Sequence, residues 1–402
     1  MIDENENTKA VTAAQNSSDE GENVPEDENS GEATVIVMTE DGGEGSKKPA
    51  GGNDTDVIFD ITSETTAPET EPETQREPEP LTMVFAGDIL FDAKYAVMAS
   101  LLERSGGNPD ITKAFDGELL SIMRDADIFM VNNEFPYSER GAAREGKMYT
   151  FRAKPSYVSL LNDMGVDIAA LANNHMFDYG EDALLDTLDI LKEAGIPYAG
   201  AGRNIEEASA PVFLGNEDIR VGFLSATQIE RYSSPDTRGA TAEKSGVFRC
   251  FDPSLLIEKI KETKENCDFV VVYVHWGTES TDKLDDSQKK LAKSFREAGA
   301  DLIIGDHPHV LQGISYEDGV PCIYSLGNYW FNSKSQDTCL VSVTIDPETK
   351  GVLEFKFIPA RQQGCRTFIL KDSEKQRVIS YMNSISSAVL DEEGVLLTGG
   401  AG

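Results

Sequence analysis

The four histidines in these 402 residues all fall where an apolar run gives way to a loop: His175 in LANNHMFD, His275 in VYVHWGTE, and His307 and His309 in IIGDHPHVLQG. Side chains at the carboxyl ends of strands in an α/β sheet converge on one rim, where such folds bind ligands. Imidazole is the commonest metal ligand, and HxH with two further histidines and nearby Asp, Asn and Glu is the composition of a metal site. Asp88 in VFAGDILFD follows the first apolar run, and Gly87 before it is expected to let the backbone approach a bound group. Alone, an Asp in that place is a turn or helix cap. Glu134 in VNNEFP can bridge two metals or act as a base; its plainer role is a loop carboxylate held by Pro136. Asn174 offers a neutral carbonyl oxygen beside His175, although Asn-Asn-His also suits a turn, because Asn tolerates left-handed backbone.

In GDHPHV, Pro308 is expected to hold His307 extended, so that residues 307 and 309 share a face and both imidazoles reach one centre. Asn133, Trp276, Asn328 in YSLGNYWF and Arg152 are the expected substrate contacts around that centre. Singly each motif has an ordinary structural reading. Together, five loops carry Asp, Glu, Asn-His, His and HxH, and no histidine is left over for a structural role.

The elements that must position these residues are legible in the periodicity. LTMVFAG, DIFMVNN, DIAALANN, RVGFLSAT, DFVVVYVHWG and DLIIGDH read as strands, and YAVMASLLER, ELLSIMRDA, SYVSLLNDM, ALLDTLDILKEAG, PSLLIEKIKETKEN and DSQKKLAKSFREAG as amphipathic helices between them. Unbroken apolar runs such as FVVVYV belong to strands covered on both faces, so the expectation is an α/β domain with a largely parallel, layered sheet. After His309, β-rich runs separated by EDG and DPETKG predict antiparallel strands flanking it, and EKQRVISYMNSISSAV a last helix before a Gly-rich tail. The expected organisation is a tether over 1–80, a domain over 81–362, and a C-terminal helix with flexible tail over 363–402.

Acidic residues outnumber basic ones 71 to 36, a formal charge of −35. Such a charge repels nucleic acid and anionic membrane surfaces, and both are excluded as partners on that ground. About half of it lies in residues 1–80, which hold 22 acidic and four basic residues and end in ETTAPETEPETQREPEPL. That composition cannot offset its ordering entropy by burial, so the segment is expected to be a disordered, charge-extended tether. Met1 is followed directly by IDENENTKA, with no signal-peptide pattern and no apolar run of membrane-spanning length in these residues. Of the two placements this leaves, the favoured one is an extracytoplasmic domain whose membrane anchor lies outside this chain; the other is cytosolic. The five cysteines show no CxxC spacing and are expected to be small buried residues.

The ordered string GD, NNE, NNH, HWG, GDHPHV and SLGN, over about residues 82 to 335, resembles the CapA family of poly-γ-glutamate capsule biosynthesis proteins, related to calcineurin-like metallophosphoesterases. The resemblance implies a layered αββα sandwich around a metal site. It implies that Asp88, Glu134, Asn174, His275, His307 and His309 are metal ligands and that His175 and Asp88 are catalytic. It also implies one or two divalent ions (Mn, Zn or Fe), with Glu134 as the bridging carboxylate. Where the phosphoesterase pattern has DxH, this chain has Asp88, Ile89, Leu90, which predicts a weaker metal position beside Asp88 and His309. Three functions follow: a metal-dependent enzyme acting on a γ-glutamyl polymer or other peptide-like substrate, a non-catalytic subunit of a membrane-bound synthase complex, and a phosphoesterase. A protein this acidic needs bound cations or a basic groove to hold an anionic polymer. Arg140, Arg144, Lys147, Arg152 and Lys154 could form that groove, or simply a solvated loop.

Overall fold

The computed structural model describes residues 76–229 and 238–398. Most of the expected tether (1–75) and the last four residues of the tail lie outside the described residues. Residues 76–80 do not behave as a free end: the Glu79 backbone N–H donates to Asp218 at 3.0 Å and Arg76 pairs with the same carboxylate.

The first half alternates strands and helices: β1 (Leu81–Ile89), α1 (Ala96–Arg104), α2 (Gly117–Arg124), β2 (Ile128–Asn133), α3 (Ser159–Met164), β3 (Ile168–Ala170), α4 (Glu181–Glu193) and β4 (Tyr198–Ala199). A second series follows: β5 (Ala201–Gly202), α5 (Ile205–Ala208), β6 (Val212–Gly215), β7 (Arg220–Thr227), β8 (Gly246–Val247), α6 (Ser254–Lys264), β9 (Phe269–His275), α7 (Asp286–Ala298) and β10 (Leu302–Asp306). The last part is β-rich, with β11 (Leu311–Glu317), β12 (Val320–Leu326), β13 (Asn328–Trp330), β14 (Gln336–Ile345), β15 (Val352–Gln363), β16 (Arg366–Ile369) and α8 (Asp372–Ile385).

The described strands form two large sheets, with a small β5-β8 pair besides, where periodicity alone suggests one. The first runs β16-β15-β14-β1-β2-β3-β4 with β13 alongside β1, and the second runs β11-β12-β10-β9-β7-β6. Each has a parallel centre, β1 to β4 in one and β7, β9, β10 and β12 in the other, with antiparallel strands at its edge. Strand alternation assigns the faces. Met83 and Phe85 of β1 meet Val271 and Tyr273 of β9 between the sheets, while Val84 and Ala86 turn outward to α1 to α4. On the other side Val270, Val272 and Val274 pack beneath Leu291, Ala292 and Phe295 of α7. The result is the expected αββα sandwich, with the parallel centre of each sheet buried on both faces.

The boundary expected at residue 362 falls inside β15, and the chain after it is integral. β16 pairs with β15, Val378, Ile379 and Met382 of α8 enter the intersheet core, and the Leu396 N–H donates to Phe355 at 2.9 Å. The amphipathic face of α8 must be buried, and the exposed side of that core is where it fits. Four of the five cysteines are buried and Cys267 is half-buried, as expected of small apolar residues.

Gly87 makes room for a protein neighbour. A Cβ there would sit 2.0 Å from the Gly327 carbonyl oxygen, at the point where Asp88 donates its N–H to that oxygen at 3.2 Å. Gly87→Ala must therefore push β1 away from the 326–328 strand end, and a thermal melt should show a loss of about 1–3 kcal/mol.

Candidate metal centre

Both parallel sheets end at the same rim, and one polar centre lies between them. β1 delivers Asp88, β2 delivers Asn132 with Glu134 just beyond, the turn after β3 brings Asn174 and His175, β9 ends on His275 and β10 on Asp306, and β13 begins with Asn328. Among these, Asp88, Glu134, Asp306 and the histidines other than His309 are at least nine-tenths buried.

His275 sits at the middle. Its Nδ1 lies 2.9 Å from Asp306 Oδ1, and its Nε2 lies 2.8 Å from Asn174 Oδ1, 3.0 Å from His307 Nδ1 and 3.6 Å from Glu134 Oε1. A carboxylate behind one ring nitrogen, leaving the other for a ligand bond, is how metal-binding histidines are oriented. On the other side His309 Nδ1 lies 3.0 Å from Asp88 Oδ2 and 2.8 Å from Asn328 Oδ1, while Asn132 Nδ2 donates to Asp88 Oδ1 at 2.8 Å. Two triads could hold an ion, Glu134 with His307 and His309, and Asp88 with His275 and Asp306. They interleave, so the donors form one cluster.

The charges show what this cluster suits. Both oxygens of Glu134 and one oxygen of Asp306 are buried without a hydrogen-bond partner. Burial, with the neighbouring Asp88 charge, pushes both carboxyls well above the ordinary carboxylate range. Burial opposes the charge of Asp88 too, but the hydrogen bond and charge of His309 hold it below that range. Burial drives His275 down to about 3, so its imidazole is neutral and can act as a ligand. Buried carboxyls crowded around the neutral His275 imidazole are costly to ionise unless a cation joins them. The nitrogen and oxygen donor set fits a first-row divalent metal.

His175 is held differently. Its Nδ1 lies 2.7 Å from Asp178 Oδ2, its Nε2 faces Glu134 at 3.8 Å, and Phe151 stacks on the ring at 4.0 Å. Burial pulls this imidazole below its ordinary value, against the raising effect of Asp178. Lys147 reaches in from the loop after β2, its side chain only 4% exposed, and donates to Asp178 Oδ1 and the Asn174 carbonyl, both at 2.7 Å.

All seven residues expected at the centre are brought together there, and Asn328 joins them beside His309. Other expectations change. Trp276 is not a substrate contact: strand alternation points it opposite to His275, into the outer core, where it stacks on Phe295 and Tyr324 and donates Nε1–H to the Tyr324 carbonyl at 2.9 Å. Asn133 is buried behind the site, its Nδ2 donating to the Phe135 carbonyl at 2.6 Å, and Asn132 takes the site-facing position. Arg152 lies over the Tyr179 ring at 4.1 Å and donates to the Arg140 carbonyl at 3.1 Å. The loop expected to be solvated supplies Lys147 instead. His307 and His309 are not extended: their φ values are +90° and +59°. A turn with left-handed backbone at both residues aims the imidazoles, a conformation that costs non-glycine residues about 1–3 kcal/mol each and persists only where the surroundings enforce it. Asp306, Asp178 and Asn132 went unassigned in the sequence, although Asp306 lies within GDHPHV and its strand-end position was the available signal.

The frame and centre together define an αββα sandwich protein with a carboxylate- and imidazole-lined site at the carboxyl ends of its strands. Residues 82–333 match the family model described as bacterial capsule synthesis protein PGA_cap, and the chain belongs to that family. It is 30% identical to the capsule biosynthesis protein CapA of Bacillus anthracis over 324 residues, covering 78% of this chain and 75% of that one. It is 31% identical to the PGA biosynthesis protein CapA of Bacillus subtilis over 265 residues, covering 64% and 68%. A Mycobacterium tuberculosis relative, 26% identical over 61% of this chain and 69% of its own, is named a probable polyglutamine synthesis accessory protein. Among solved structures, a phosphatase from Mycoplasma pneumoniae aligns with 71% of this chain and 95% of its own at 16% identity and a TM-score of 0.44.

Proposed function

We propose that this protein is a metal-dependent enzyme of capsule or cell-envelope polymer biosynthesis, acting on a γ-glutamyl or other peptide-like bond outside the cytoplasm. The observation that supports the reading most is Glu134, a wholly buried carboxylate whose two oxygens have no hydrogen-bond partner and which faces His175 and His275. Asp88, Glu134, Asn174, His275, His307 and His309, with Asp306 and Asn328 beside them, would hold one or two Mn, Zn or Fe ions. Such an ion polarises a carbonyl and makes bound water acidic. His175, oriented through Nδ1 by Asp178, is placed to pass a proton to the leaving amine from Nε2. Hydrogen bonds from Lys147 to Asp178 and to the Asn174 carbonyl hold the 173–178 turn in place. No helix among the described residues is long and apolar enough to cross a membrane.

The mycobacterial relative, named a probable polyglutamine synthesis accessory protein, favours a second reading, an accessory subunit of a membrane-bound synthase. Metal-loaded protein incubated with γ-linked oligoglutamate, a γ-glutamyl anilide and simple phosphoesters separates the readings. Cleavage of the γ-glutamyl substrates is expected. Turnover of phosphoesters alone would make it a phosphoesterase, and turnover of none would leave the accessory role.

A further inference from the structure

The segment between β9 and α7 carries a carboxylate, Glu279, that none of the roles above uses. Its side chain is 50% exposed, and its Oε1 stands 4.0 Å from His307 Nε2. The other nitrogen of that ring, Nδ1, faces the centre, 3.0 Å from His275 Nε2. His307 therefore turns one ring nitrogen to the donor cluster and the other to a carboxylate. His275 is arranged in the same way, with Asn174 at one nitrogen and Asp306 at the other.

The backbone that presents Glu279 is fixed by other groups. Before it, the Trp276 N–H donates to the Asp306 carbonyl at 3.2 Å, and after it the Ser280 N–H donates to the Pro308 carbonyl at 2.8 Å, which ties the segment to the HxH turn. Gln312 Nε2 donates to the Thr281 carbonyl at 3.0 Å and Gln288 Nε2 to Gln312 Oε1 at 2.8 Å, both glutamines being wholly buried. Tyr381 of α8 donates its hydroxyl to Asp282 at 3.0 Å. Ser280 is left-handed, with φ of +61°, a conformation that persists only where the surroundings enforce it. None of these contacts uses the Glu279 side chain, so the carboxylate is available for another purpose.

We propose that Glu279 is a positioning residue of the metal centre, accepting the Nε2–H of His307 and so reserving Nδ1 as the ligand atom. The 4.0 Å separation is longer than a hydrogen bond, and rotation about the side-chain bonds of a half-exposed Glu closes it while the backbone stays fixed. A carboxylate behind a ligating imidazole fixes its tautomer and ring orientation and raises the basicity of the ligating nitrogen. His307 needs this more than His275 does. His275 is held in β9 by pairing with Asp306 and Thr227 on its two sides, whereas His307 lies past the end of β10 in a left-handed turn. This inference rests on the reading of the centre as a metal site and is independent of what that site acts on.

The test measures metal binding and not turnover. The metal-stripped full chain is titrated with Zn and with Mn in wild type, Glu279→Ala and Glu279→Gln, and the melting temperature of each stripped protein is read in parallel. Glu279→Ala is expected to bind at least about tenfold more weakly, the usual loss when a ligand's orienting partner is removed. Glu279→Gln, whose amide oxygen still accepts from Nε2–H, should stay within about threefold of wild type. The three stripped proteins should melt together, because other groups hold the backbone around residue 279. Unchanged affinity in Glu279→Ala would overturn the inference and leave the metal centre standing. An equal loss in both variants would make the carboxylate itself a ligand, and a lower melting temperature for stripped Glu279→Ala would assign the residue to the fold; either result overturns the positioning role. A wild type that takes up no metal would overturn the metal reading of the centre, and this inference with it.

Discussion

Metal-stripped protein is expected to take up a divalent transition metal tightly, and His307→Ala to bind it at least about 100-fold more weakly. His307 Nδ1 lies 3.0 Å from His275 Nε2, whose Nδ1 is backed by Asp306. Removing it would delete a proposed ligand and leave the oriented imidazole facing a void, and loss even of the groups that orient ligands costs about 10–100-fold in affinity. Calorimetric titration with Mn and Zn measures this directly. A second, weaker equivalent is expected on the side of Asp88 and His309, where Leu90 is buried in the apolar core. Glu134→Gln gives a further signature. The stripped variant should melt no lower than stripped wild type, because the Glu134 carboxyl lacks hydrogen-bond partners and burial disfavours its charge. The stabilisation by metal, about 2.7 kcal/mol at a hundredfold excess over Kd, should largely disappear. A wild type that takes up no metal, or a His307→Ala variant that binds as tightly, would make the centre a relic and favour the accessory role.

His175→Gln should lower turnover of a γ-glutamyl substrate by about 10²- to 10⁴-fold, the usual contribution of a positioned proton-transfer group. Metal content should stay at the wild-type value, because His175 is held by Asp178 and stands 3.8 Å from Glu134. Asp178→Asn should lower turnover by less, since the imidazole keeps its place against Phe151 but loses the carboxylate that fixes its tautomer. Steady-state kinetics with metal analysis on the same samples separate the cases. Loss of metal in His175→Gln would make the residue a ligand, and unchanged turnover would remove it from the mechanism.

Much of the centre was legible because strand-end chemistry is local. An apolar run ending in Asp, Asn or His is visible in the sequence, and the chain reversals that bring Asp88, Asn174, His275 and the HxH pair to one rim follow from the βα alternation. The same alternation was enough to turn Trp276 away from His275 and Asn133 away from Glu134, so those two substrate contacts were misassigned against a signal that was present. Other features had no local signature. Lys147 and Arg152 lie in one polar stretch and look alike in sequence, yet Lys147 enters the site and Arg152 lies over Tyr179.

The sequence by itself determined the residue types at the rim and the period of the elements beneath them, because hydrophobic periodicity and turn chemistry act over a few neighbouring residues. Periodicity did not divide the strands into two sheets with one centre between them; the family resemblance implied that division and the tertiary structure made it, since sheet membership depends on pairing between distant segments. Only the tertiary structure decided the left-handed turn at His307 and His309, because the packing of the rim overrides the extended backbone that Pro308 favours locally. And it decided which charges face one another: Asp306 behind His275 and Lys147 on Asp178. Electrostatic neighbours are set by distance in space, and separation along the chain carries no measure of it.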